Sequence, residues 1–182
     1  MDTWFKTCSQ FNENLTMDLG RLKLLRRSGY VKRFHTLPTI GEVQSVSAHS
    51  WNVTLLINEL FPDARKQLLL AAMYHDVAEI IIGDMPATTK WKYPDLAETL
   101  ARAEEQVERE LNIQFALTER EKVILKMCDM LELVLYSAEQ LKLGNDYFDE
   151  VLSNGMKYLL DKYSNYVEFS VVSNILKQMV SR

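Results

Sequence analysis

Apolar residues recur every three to four positions along most of this chain, and that spacing limits its fold more than any other feature. Leu15, Leu19, Leu22 and Leu25 share one helical face, and Leu96, Leu100, Ala103, Val107 and Leu111 share another. No segment shows the two-residue alternation of a strand. Helix breakers are few, six Gly and four Pro in 182 residues, and most fall between the stripes. The chain therefore reads as all-α. Helices are expected over residues 14–27, ended by Gly29, and from an N-cap at Ser47 to about residue 61. A third, apolar on most sides and so buried, follows Pro62-Asp63 and runs until Gly83-Asp84-Met85-Pro86 breaks it. Another covers 94–112, and a Thr118/Glu121 capping box opens one reaching residue 143. Two more fill 146–163 and 165–180. Residues 28–46 are expected as a long loop, of a length that is often functional, and 87–93 as a surface segment.

The length suits one domain over residues 1–182, with 146–182 as C-terminal helices packed on a bundle. A composition of 47% apolar and 25% charged residues is that of a soluble chain, and the apolar C-terminal residues, Val167 to Leu176, fit either a core or an interface. The net charge of -4 speaks against stable nucleic-acid binding. Apolar runs such as 68–74 are far shorter than the roughly 20 residues of a membrane span. Cys8 and Cys128 form no CxxC pair, and Asp2, Lys6 and Glu13 interrupt any signal-peptide core. A cytoplasmic location is expected, or the host cytoplasm for a phage-encoded chain.

Three histidines occur, His35, His49 and His75. His75 is followed by Asp76, and Glu79 lies three residues further on, within reach of both on a helix. Such groups at the end of a buried helix are costly unless paired, and a divalent metal compensates them. Imidazole with carboxylate suits Zn, Mn, Fe, Co or Ni. A hydrogen-bonded structural His-Asp pair is the alternative for the dipeptide by itself.

The segment Tyr74-His75-Asp76-Val77-Ala78-Glu79-Ile80-Ile81-Ile82-Gly83-Asp84-Met85-Pro86 resembles the signature of HD-domain phosphohydrolases. It is most similar to the branch holding the YfbR-like 5'-deoxynucleotidases and the phage dATP triphosphohydrolases of the DatZ type. Val46-Ser47-Ala48-His49-Ser50 resembles the helix of that family's first ligand, and Cys128-Asp129-Met130-Leu131-Glu132 the helix of its last. The resemblance is strongest over residues 15–145. It implies an HD-domain helical bundle with a central metal held by His49, His75, Asp76 and Asp129. It also implies that Glu79 handles the proton of the attacking water and that Asp84 helps place that water; a plain turn-forming role is the alternative for Asp84. Many members carry Glu immediately before the first ligand His, where this chain has Ala48.

Arg21, Lys23, Arg26, Arg27, Lys32 and Arg33 make a basic cluster in an acidic chain, either a solvated face or a rim that receives phosphate. By resemblance, Arg27 binds the substrate phosphate and Tyr30 packs against C2' of the sugar, where the family shows Trp. By the same resemblance Lys90 matches a Lys that neutralises phosphoryl charge, a plain solvated lysine being the alternative. His35 either reaches the nucleotide or caps its loop, the loop reading being favoured. Trp51 and Trp91 are expected as packing residues, and Met127 and Met130 as core.

The resulting expectation is metal-dependent cleavage of the 5'-phosphate ester of deoxyribonucleotides by a homo-oligomer. It leans to a dNTP (dATP) triphosphohydrolase, with an additional Mg or Mn ion accompanying a triphosphate. A 5'-deoxynucleotidase acting on dNMPs is the alternative, since attack at the α-phosphorus serves both. A non-catalytic nucleotide-sensing module is the competing class; it would have lost a ligand or Glu79, and none is lost. An RNA-binding protein would carry wider positive charge.

Overall fold

A computed structural model describes residues 18–180. The helices are α1 (Leu19–Ser28), α2 (Val46–Leu60), α3 (Lys66–Tyr74), α4 (Glu79–Ile82), α5 (Ala87–Lys92), α6 (Pro94–Glu110), α7 (Glu119–Lys142), α8 (Asp149–Tyr163) and α9 (Phe169–Val180). A 3-10 turn, Asp146–Phe148, precedes α8. Among the described residues no strand forms, only an isolated bridge between Lys32 and Ser45.

The centre of the bundle is α7. Its capping box forms as the sequence predicts, with Thr118 and Glu121 exchanging side-chain and backbone hydrogen bonds. Ile124, Met127, Leu131 and Val134 on α7 meet Val53 and Ile57 of α2, Leu68 and Ala72 of α3, Leu159 of α8 and Val172 of α9. Each of these buried Val, Leu, Ile and Met side chains contributes about 1.5–3 kcal/mol. At Gly155 the α8 backbone lies so close to α7 that an added Cβ would stand 2.9 Å from Val134 Cγ2 and 3.2 Å from Leu133 Cδ2.

Four local expectations are corrected. The predicted start of the first helix at residues 14–17 lies outside the described residues, and the helix is capped at Asp18, whose side chain accepts from the Gly20 and Arg21 amides. The N-cap of α2 is Ser45, not Ser47; the Ser47 hydroxyl instead donates to the Gly29 carbonyl, tying α2 to the end of α1. Residues 87–93 are not plain surface but contain α5, launched by the extended Pro86. Trp51, expected to pack, is 64% exposed, because α2 turns that face away from α7.

Candidate metal and phosphoester site

The third helix does not run through to Gly83. It ends at Tyr74, and His75 is its C-cap. The next backbone bonds, Val77 to Tyr74, Glu79 to Asp76 and Ile80 to Val77, are three-residue turns, so the chain tightens before α4. This turn puts His75, Asp76 and Glu79 on one wall of a cavity of about 580 Å³. The φ of +80° at Gly83 then reverses the chain at a conformation open to glycine and brings Asp84 and Lys90 onto the same wall.

His49, on α2, is completely buried. Its Nε2 lies 3.2 Å from Nε2 of His75, 3.1 Å from Asp129 Oδ1 on α7 and 3.5 Å from Asp76 Oδ2. His75 Nε2 is 3.3 Å from Asp76 Oδ1 and 3.7 Å from Asp129 Oδ1. Ligand atoms of His49, His75 and Asp76 all lie within 4.8 Å of one another.

The outer nitrogens decide what this cluster can hold. His75 Nδ1 donates to the Ala72 carbonyl at 2.7 Å, and a carbonyl can only accept. His49 Nδ1 meets Glu132 Oε2 at 2.5 Å. With both Nδ1 atoms protonated, neutral rings aim two Nε2 lone pairs at each other across two carboxylates. That donor set asks for a cation. A proton meets the demand in part: burial and Arg33 oppose a charge on His49, yet the Asp129 and Glu132 hydrogen bonds outweigh them and set the ring at about 9. The imidazole–carboxylate set also fits a divalent transition metal.

The carboxyl of Glu79 is buried, and its Oε2 has no hydrogen-bond partner. Desolvation, then the Asp76 and Asp84 charges, push it up to about 9. His35 stands outside the cavity wall, with Nδ1 3.4 Å from Asp84 Oδ2. Lys90 pairs with Glu104 at 3.4 Å. Arg27 is exposed on α1 and Tyr30 is 74% exposed, and both lie outside the lining of this cavity.

The guanidinium that does reach the cavity belongs to Arg33, which the sequence offered only as one member of a basic cluster. Its Nη1 donates to Asp76 Oδ2 at 2.8 Å from a buried position. Phe34, with φ +54°, makes the left-handed turn next to it, and stacks on Tyr136 with centroids 4.8 Å apart. Lys126 and Lys162 also line the cavity, and Trp91, expected as packing, forms part of its wall beside Tyr158. Met127, by contrast, is fully buried core as expected. Lys126 was legible in principle, one turn before Asp129 on the same helix face.

A model of the family described as 5'-deoxynucleotidase YfbR-like matches residues 19–179. The chain belongs to this family. As a member of it, the chain is an HD-domain nucleotide phosphohydrolase. It is 27% identical over 175 residues to a 5'-deoxynucleotidase of Photorhabdus laumondii, covering 83% of this chain and 85% of the relative. The same figures hold for a 5'-deoxynucleotidase of Yersinia pestis. Among solved structures it resembles the cyanophage S-2L HD phosphohydrolase DatZ, which is bound to dA and one catalytic Zn2+ ion. The TM-score is 0.70 at 23% identity, covering 88% of this chain and 96% of that one. An HD-domain phosphohydrolase from Listeria innocua matches with a TM-score of 0.72 at 20% identity, over 90% and 89% of the two chains. Among the described residues no helix is long and apolar enough to cross a membrane.

Proposed function

We propose that this member of the family is a 5'-deoxynucleotidase, releasing orthophosphate from 2'-deoxyribonucleoside 5'-monophosphates. The lean toward a triphosphate read from the sequence gives way to the family match, which covers residues 19–179, and to relatives named as 5'-deoxynucleotidases. The observation that carries the reading is the position of Glu79 beside the His49–His75–Asp76 cluster, in a cavity wide enough for a nucleotide.

His49, His75, Asp76 and Asp129 would hold the metal, with zinc the first candidate because DatZ binds it. Bound there, a divalent ion would supply Lewis-acid polarisation of a phosphoryl oxygen and acidify a water. The remaining chemistry belongs to the chain. Burial and the Asp76 and Asp84 charges raise the proton affinity of Glu79, and the positive charge of a bound ion would offset them; the ionised carboxylate would then take the proton of the attacking water and return it to O5' as the ester bond breaks, so that a deoxynucleoside and orthophosphate leave. Asp84 contributes to that affinity through its charge. Arg33 fixes Asp76, and Lys90 and Lys126 present positive charge to the phosphoryl oxygens. By the family resemblance Arg27 and Tyr30 would serve the phosphate and sugar, although neither lines the cavity.

Hydrolysis of dNTPs to deoxynucleoside and triphosphate is a second reading. It is favoured by Lys90, Lys126 and Lys162 lining one cavity, more cations than a single phosphate needs. Chromatography of the products from each dNMP, dNTP and ribonucleotide separates the two. Orthophosphate from dNMPs alone is expected, and triphosphate from a dNTP would establish the second reading.

A further inference from the structure

We infer that Glu132 is the positioning residue that makes His49 a metal ligand, an inference that rests on the metal reading of the site. A neutral imidazole can carry its proton on either nitrogen, and only the Nδ1–H form leaves the Nε2 lone pair facing His75 and the two aspartates. Glu132 Oε2, at 2.5 Å from Nδ1, selects that form and raises the electron density available at Nε2.

The surroundings reserve the carboxylate for this task. Gln44 Nε2 donates to Glu132 Oε1 at 2.7 Å and Asn52 Nδ2 donates to the same oxygen at 3.1 Å. Two amides thus occupy one oxygen and turn the other toward His49. The four groups form a two-rung ladder between α2 and α7. Asp129 and Glu132 are one turn apart on α7, and His49 and Asn52 are one turn apart on α2. The lower rung joins Asp129 to His49 Nε2, and the upper joins Glu132 to Nδ1 and to Asn52. His75 is held differently, by the Ala72 carbonyl, which needs no side chain. The position before His49 is Ala48, so the chain offers no carboxylate next to His49 in sequence, and Glu132 supplies one from across the bundle.

Glu132 is 3% exposed within an otherwise apolar stretch, Leu131, Leu133 and Val134. An apolar residue there would serve packing as well or better, so a buried carboxylate with all its partners arranged points to a demand other than stability.

The test uses cobalt(II) as the probe, in competition with a chromophoric chelator, on the metal-stripped full chain. E132Q keeps the shape and removes the charge. Its cobalt dissociation constant is expected to rise about 10–100-fold, with a changed visible spectrum of the bound ion. N52A, which removes one donor from Oε1, is expected to shift affinity in the same direction by less, and decides the matter if E132Q does not fold. Wild-type affinity in E132Q, or in N52A when E132Q is unfolded, overturns the role of Glu132 and leaves the metal site standing. A lowered metal-free melting temperature with unchanged cobalt affinity shows a purely structural residue. Failure of the wild-type chain to bind cobalt overturns the metal reading and this inference together.

Discussion

Glu79 is buried among groups of its own sign, and desolvation first, then the Asp76 and Asp84 charges, raise its hold on a proton. E79Q is expected to lower kcat about 10²–10⁴-fold while metal content, measured by atomic absorption, stays that of the wild type. Arg33 is the second residue with a sharp expectation. It is buried against Asp76, and the Asp76, Asp129, Glu132 and Glu79 charges overcome its desolvation to keep it firmly protonated. R33M removes the guanidinium that faces Asp76 alongside the His75 and His49 rings and is expected to cost the metal-free protein about 3 kcal/mol in urea unfolding; loss below about 1 kcal/mol would mean that the two rings suffice to balance the carboxylate. His75, Asp76 and Glu79 were legible because they fall within five consecutive residues at helical spacing. His49 and Asp129 needed the family resemblance. Arg33 and Glu132 were hidden, because their roles depend on the left-handed turn at Phe34 and on the facing of α2 and α7, which no local pattern encodes.

Between elements, the Arg65–Glu121 pair ties the start of α3 to the start of α7. Arg65 Nε and Nη2 donate to the two Glu121 oxygens at 2.7 and 2.5 Å, and the Thr118 amide donates at 2.8 Å. These bonds, Arg65 first, lower the Glu121 carboxyl to about 2. A depressed folded value gives stability that is present above the unfolded carboxyl's range, near about 4.3, and is lost as pH falls toward 2. E121Q is therefore expected to flatten the acid limb of the stability–pH profile and, through the weakened capping box, to cost about 1 kcal/mol near neutrality. G155V tests the contact of α7 with α8: a branched side chain where even a Cβ meets Val134 at 2.9 Å is expected to destabilise by about 1–3 kcal/mol in denaturant. The helices themselves were readable from apolar spacing and caps. The break after Tyr74 was not, since residues 75–82 keep helical composition and the turn is imposed by the cluster they serve.

At the scale of the molecule, the site joins α2, the end of α3 and α7, so that ligand binding and bundle stability are linked. Metal at about 100 times its dissociation constant is expected to add about 2.7 kcal/mol, seen as a rise in melting temperature that a chelator reverses. The cations that line the cavity, Arg33, Lys90, Lys126 and Lys162, give this acidic chain a local surface for phosphate. Metal-dependent deoxynucleotidase activity is decided by orthophosphate release from the four dNMPs and their ribo counterparts, with protein stripped by chelator and then reloaded with zinc, manganese or cobalt. Release from dNMPs is expected to be lost on stripping, restored on reloading and lowered about 100-fold or more in E79Q. Release that survives stripping, or no release with any of the three metals, would contradict that activity.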